Sequence, residues 1–316
     1  QFDEHDSDGF LMDAVAYALA NAIPATSSSL SNVVDATAVP GGAKYWHGQS
    51  LLDDGTVLLT GGGSGTSTAY VEAHIWDPDL DTWTQKANLL TGVSYQTQTT
   101  LSDGRVILCN GIPSIGGGRT NKVQIYDPDA NSWAYATNSP TTTYGSAACL
   151  LADGTLLLAG GSGAVRASWI WDPTLDTWTT KASMNYETNS SPGMIAIPGN
   201  KVLNSKQVTE MYDVALNTWT PKRTNAVMAK NTLWNLPDGR VGSVDKGNTA
   251  YAYDITLNTW SFLYGFSNPA TQPAACTILS DGSIFITSVS MAYRVYPEET
   301  GATPGRAALL GYLAAT

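Results

Sequence analysis

The chain has 316 residues, with 16 Lys and Arg against 27 Asp and Glu for a net charge of −11. That surplus of acid excludes nucleic acid and anionic membrane surfaces as partners, since both are bound through a basic patch. Hydrophobic residues make up 43% and charged residues only 14%, so the length fits one compact domain with a core large enough to stand alone.

In chain order, residues 1–9 are acidic, and the segment from Phe10 to Ile23 is Ala-rich and apolar nearly all round, which predicts a helix. At about 14 residues it is too short to span a bilayer. Nor does it resemble a signal peptide. Asp3, Glu4, Asp6 and Asp8 stand where positive charge belongs, although Ala20-Asn21-Ala22 mimics a cleavage site. A helix apolar on all sides must be buried. The expectation is that it lies across its own domain or docks into another subunit or a particle protein.

The remainder is a repeat. An aromatic, an acidic turn and a Trp seven residues on recur as Trp76/Trp83, Tyr126/Trp133, Trp171/Trp178, Tyr212/Trp219 and Tyr253/Trp260. Before each pair stands an apolar run broken by Asp-Gly or its stand-in, at Asp54-Gly55, Asp103-Gly104, Asp153-Gly154, Gly199-Asn200, Asp238-Gly239 and, once more, Asp281-Gly282. The second turn residues step by 49, 50, 46, 39 and 43, the period of propeller blades. Runs such as Thr56-Val57-Leu58-Leu59-Thr60 are short, apolar and bounded by turn signals, hence strands. Asp-Gly supplies a positive-φ hairpin residue, and in Asp77-Pro78-Asp79 Pro fixes φ while Asp bonds nearby amides. Each unit reads as four strands that cannot cover both faces alone, so six blades stack into an all-β ring. Cys109, Cys149 and Cys276 fall inside the strands and read as small core hydrophobes rather than as disulfides or metal ligands.

These residues resemble the kelch-repeat β-propellers over about residues 42–297: Gly61-Gly62 and Gly160-Gly161, weakened to Asn110-Gly111, end the second strand ahead of the aromatic turn and its Trp. The second half departs, with Lys206, Asp245 and Ser288 at the first Gly position. From each Trp to the next turn residue the interval is 21, 21, 22, 20 and 22. Counting about 21 back from Gly55 reaches Val34, so a strand at about residues 32–39 is expected to complete blade six, with the segment from Arg306 to Leu313 as the competing closure. The division is then a leader over 1–30 and a six-bladed propeller over 31–316.

Some kelch-type rings are copper radical oxidases, which are similar in fold but need two His, two Tyr and a Cys around the metal. Here His5, His47 and His74 are the only histidines, and the set cannot be mapped. Six-blade sialidases need several Arg and a Ser-x-Asp-x-Gly-x-x-Trp turn, which is missing. Asp77, Asp79 and Asp81 lack the Gly and distal Glu of a calcium loop. No cofactor and no metal is therefore expected, and no catalytic residues.

Binding remains. The connections between second and third strands are long in the first three blades, at residues 61–69, 111–121 and 161–167, rich in Gly and Ser with Arg119 and Arg166 as their charges. The resemblance implies that these loops share a face with the start of the innermost strand. Nine residues before each turn position stand Trp46, Tyr95, Gly145, Ser191, Lys230 and Pro273, which puts two aromatics at the channel mouth. Trp46 and Tyr95 either pack between blades or, with Arg119, Arg166 and Lys230, meet a glycan or a protein. The reading is a non-enzymatic recognition or assembly module of a surface appendage, such as a virion or phage fibre, tail or decoration protein or an adhesin, extracellular or on a virion surface. An intracellular kelch adaptor and a secreted carbohydrate-active or oxidase enzyme are the alternatives.

Overall fold

The computed structural model describes residues 33–296 except 42–43, 65–68, 114–117, 164, 188–192, 206–207, 223–232, 237, 245–248, 266–274 and 288–290. The leader helix expected from Phe10 to Ile23, Lys206, Lys230, Asp245, Ser288 and the Arg306 to Leu313 segment lie outside the described residues. All described strands belong to one unit, Asn32–Thr316. No helix among the described residues is long and apolar enough to cross a membrane.

After β1 (Val33–Ala36), blade one comprises β2 (Gly48–Leu51), β3 (Val57–Thr60), β4 (Ala73–Asp77) and β5 (Thr82–Gln85). Blade two has β6 (Val93–Ser94), β7 (Thr97–Thr100), β8 (Val106–Pro113), β9 (Thr120–Asp127) and β10 (Ser132–Ala136). Blade three is β11 (Ala147–Leu150), β12 (Leu156–Ala159), β13 (Ser168–Asp172) and β14 (Thr177–Lys181). Blade four is β15 (Gly193–Ile197), β16 (Lys201–Ser205), β17 (Thr209–Asp213) and β18 (Thr218–Lys222). Blade five is β19 (Leu233–Asn235), β20 (Val241–Val244), β21 (Thr249–Asp254) and β22 (Thr259–Gly265). Blade six takes β23 (Ala275–Ile278), β24 (Ile284–Thr287) and β25 (Ala292–Val295), and β1 pairs antiparallel with β25 as its outer strand.

Each second strand is doubly covered by neighbouring blades, which is why it is a continuous apolar run rather than an alternating one. β3, β12 and β24 are buried along their whole length, whereas the outer strand β5 is largely exposed. The seams fill with apolar clusters. Leu58 and Ala73 meet Val106, Leu108 and Trp133, and Ile107 and Val123 meet Leu156, Leu158 and Trp171. The series continues through Leu157 with Val202, Leu203 with Tyr253 and Ala250 with Ile286. It ends with Phe285 against Val57, Leu59 and Trp76, so the ring closes on itself. There Trp76 stacks on Phe285 with centroids 3.8 Å apart.

One clasp recurs at these seams. The two aromatics seven residues apart are direct cross-strand partners, Trp76 opposite Trp83, Tyr126 opposite Trp133 and Trp171 opposite Trp178. The second aromatic's indole donates to a carbonyl just past the preceding blade's outer strand: Trp83 to Thr37 at 2.9 Å, Trp133 to Ala87 at 2.8 Å, Trp178 to Thr137 at 3.0 Å and Trp219 to Ala182 at 3.0 Å. The amide of that same residue donates to the turn side chain of Asp81, Asn131, Asp176 or Asn217. The turn residue also accepts from the first aromatic, Trp76, Tyr126, Trp171 or Tyr212.

Asp goes with Thr and Trp, Asn with Ala and Tyr. Where Thr37 or Thr137 adds its hydroxyl, three donors must be satisfied, and a two-oxygen carboxylate does it. Where Ala stands there, one amide oxygen with two lone pairs suffices. All four turn residues are left-handed, with φ of 51°, 46°, 50° and 53°, a conformation that Asp and Asn tolerate better than other side chains.

The register also sorts the two ends of every blade. Leu51 lies opposite Val57, Val57 opposite Trp76, and Asp77 opposite Thr82, so the Asp-Gly and Asp-Pro turns share one face. Gly48, Thr60 and Ala73 align at the other end, where the long loops emerge.

Candidate binding face

On the loop face, the residue nine before each turn glycine is left-handed in the first three blades: Trp46 at φ 57°, Tyr95 at φ 57° and Gly145 at φ 62°. For glycine this conformation carries no steric penalty. For a bulky side chain it costs roughly 1–2 kcal/mol. The backbone is held there by hydrogen bonds running from blade to blade: the Tyr95 amide donates to the Trp46 carbonyl at 2.9 Å, and the Gly145 amide to the Tyr95 carbonyl at 2.8 Å. Gly145 shows that the belt needs no ring. Trp46 and Tyr95 therefore put two large side chains where the local conformation disfavours them.

Their rings form a row along the mouth. Trp46 and Tyr95 stack with centroids 4.3 Å apart and planes 19° apart. Tyr45 tilts against Trp46 at 5.4 Å, and Tyr144 against Tyr95 at 5.3 Å. Tyr45 is 39% exposed, and the other three rings are half-buried. Burial, and then the neighbouring Tyr144 phenol, push the Tyr95 hydroxyl up to about 12, so it stays a proton donor at physiological pH. Arg119 extends the row, its guanidinium 5.4 Å from the Tyr144 ring centroid and 2.8 Å from the Ser162 carbonyl.

Of the residues expected at this face, Trp46, Tyr95 and Arg119 thus share one row. Arg166 reaches the Asn185 carbonyl at 3.5 Å instead, and Lys230, like Ser191 and Pro273, lies outside the described residues. Tyr45 and Tyr144 are additions that counting nine back from the turn misses. The readable signal is an aromatic one residue earlier, in Tyr45-Trp46 and Tyr144-Gly145.

Below the row, His47 is buried between the Lys44 carbonyl at 3.1 Å and the Thr287 hydroxyl of blade six at 2.7 Å. Burial pulls its pKa down to about 4, which leaves it neutral. Lys44 is buried too, paired with Glu72 and 4.5 Å over the Tyr70 ring. The central channel holds about 470 Å³ and is lined by Gln49, Gln98, Thr100, Asn235, Cys276 and Thr277 among others. Its polar groups largely staple blades together: Gln49 donates to Thr277 at 2.8 Å, Gln98 to the Leu58 carbonyl at 3.1 Å and Asn235 to the Ala196 carbonyl at 3.1 Å. Burial pushes the Cys109 and Cys149 thiols up, Cys149 to about 12, away from nucleophilic character. Among the described residues no three His, Cys, Asp or Glu side chains gather as metal ligands would.

A scan against protein-family models finds no match. No curated protein matches either. Among solved structures the chain is similar to a fungal alcohol oxidase of the AA5 family in complex with copper, at 16% identity and a TM-score of 0.56 over 82% of this chain. The match spans 64% of that protein's length. At such identity the likeness shows the fold, a six-bladed β-propeller here.

Proposed function

We propose that the chain is a non-enzymatic recognition module, a kelch-type propeller that binds a glycan on its long-loop face. The observation that supports this most is the half-exposed pair Trp46 and Tyr95, stacked in a backbone conformation that glycine adopts at the same position of blade three. Large side chains kept in a disfavoured conformation mark functional sites, and aromatic platforms beside Gly- and Ser-rich loops suit sugar faces. Recurrence of the Gly-Gly, acidic-turn and Trp pattern supports the kelch reading. In this reading the ring serves a surface appendage, extracellular or on a virion, and the segment from Phe10 to Ile23 joins it to another subunit.

The test of the ligand is titration of the intact chain with a panel of oligosaccharides, followed by indole fluorescence. Binding that quenches fluorescence and disappears in Trp46→Ala supports the reading. A folded chain that ignores every glycan yet captures a protein ligand through the same face points to the adaptor. Turnover of primary alcohols or sugars after copper addition would replace the reading with an oxidase. For the leader, light scattering of the chain with and without residues 1–28 decides. An oligomer that becomes a monomer on truncation supports assembly through it.

A further inference from the structure

Carboxylates and guanidiniums are distributed unequally between the two faces. The described carboxylates outside the two hairpin turns of the blades are Asp35, Glu72, Glu187 and Glu210. Glu72 is paired with Lys44, and Glu210 is buried and accepts from Asn185. On the turn face the guanidiniums have counter-ions: Arg105 with Asp103 at 2.7 Å, Arg240 with Asp238 at 2.7 Å, and Arg294 with Asp281. On the loop face Arg119 and Arg166 are exposed and, among the described residues, donate to the neutral carbonyls of Ser162 and Asn185, with no ion pair to the exposed Glu187 nearby. In a chain of net charge −11, two exposed guanidiniums that have no carboxylate partner among the described residues lie one beside the aromatic row and one in the loop that Arg119 touches.

Resting on the glycan reading above, we propose that the ligand is an acidic saccharide, a sugar bearing a carboxylate. Its apolar C–H face lies against the row of Trp46, Tyr95 and Tyr144, and its carboxylate takes the guanidinium of Arg119. The fork of Arg matches a carboxylate with two parallel hydrogen bonds. The phenol hydroxyls of Tyr45, Tyr95 and Tyr144, which have no hydrogen-bond partner among the described residues, suit a hydroxyl-rich ligand. A long polyanion such as nucleic acid would meet the repulsion of the whole acidic ring, whereas a single carboxylate needs only the local pair.

The experiment is isothermal titration of the full chain with an oligomer of galacturonic acid, with its methyl ester and with a galactose oligomer, at low and high salt. Binding of the acid at least tenfold tighter than of its ester, weakened by salt, supports the proposal, as does an approximately tenfold loss in Arg119→Gln but not in Arg105→Gln. Equal affinity for acid, ester and neutral oligomer would overturn the acidic ligand and leave the glycan reading standing. Absence of binding to all three, with the circular dichroism of the native fold, would overturn both.

Discussion

The turn face and the loop face of this ring are made by the same strands and obey opposite rules. On the turn face blades one to four repeat one arrangement: an aromatic pair, a left-handed Asp or Asn and the clasped residue of the preceding blade. On the loop face the same backbone position holds Trp46, Tyr95 and Gly145 in successive blades. Repetition identifies what the ring needs in order to close. Departure from it, where the departure also costs conformational energy, identifies what the ring is free to use.

The largest effect should come from removing a clasp together with its strand. Deleting residues 1–40 removes β1 and Thr37, hence the outer strand of blade six and the clasp onto blade one. At about 1 kcal/mol per lost hydrogen bond, a loss of roughly 4 kcal/mol or more is expected. Deleting residues 1–28 leaves β1 intact. Thermal melts of the two truncations should therefore differ clearly, and coincident melts would remove β1 from the account of closure. Next in size, Trp171→Ala empties a side chain only 1% exposed and should cost about 3–5 kcal/mol by denaturant titration. Ligand binding on the opposite face should be unaffected in the refolded variant.

A smaller effect tests the clasp's chemistry. Burial alone would raise the Asp81 carboxyl, but the Thr37 amide, the Trp76 indole and the Thr37 hydroxyl donate to it and hold it below its usual 3.8. The Asp176 carboxyl is depressed in the same way by Trp171 and Thr137. A depressed folded pKa contributes stability that is fully present above 3.8 and is lost as pH falls through the folded value. Asn131 and Asn217 do the same work without titrating. Asp81→Asn with Asp176→Asn should therefore flatten the fall in stability below about pH 4 and lower stability at neutral pH, since one amide oxygen replaces the carboxylate that takes the Thr hydroxyl as a third donor. An unchanged acid limb would assign that fall to the other depressed turn carboxylates, Asp103, Asp153, Asp238 and Asp281.

The turn face was the legible half. Aromatics seven residues apart across an acidic turn are what a short hairpin places opposite one another, so the spacing of Trp76 and Trp83 carries the register directly. Even there, the coupling of Asp to Thr and Trp, and of Asn to Ala and Tyr, is not legible from local spacing, because it links residues some forty positions apart that meet only across a seam. On the loop face, counting back from the turns located Trp46 and Tyr95 but could not show their positive φ, since bulky residues carry no propensity for that region. Tyr45 and Tyr144 each stand one residue off the repeated position, and in a loop such an offset does not invert a face as it would in a strand, so the repeat does not mark them.

The smallest effect on stability should accompany the largest effect on binding. Replacing Tyr95 with Gly relieves a left-handed residue, which favours folding by about 1 kcal/mol, and removes a half-buried ring, which opposes it by a similar amount. The melting temperature of Tyr95→Gly should therefore stay within a few degrees, and the backbone belt through Trp46 and Gly145 should persist because glycine already serves in blade three. Saccharide binding should nevertheless fall sharply, since the row loses its central ring between Trp46 and Tyr144. The reverse substitution sharpens the contrast. Gly145→Val forces a β-branched side chain into the left-handed region at a cost of roughly 1–2 kcal/mol. A Tyr95→Gly variant that melted far below the wild type would mean that the ring is there for the seam after all, and the loop face would then follow the rule of the turn face.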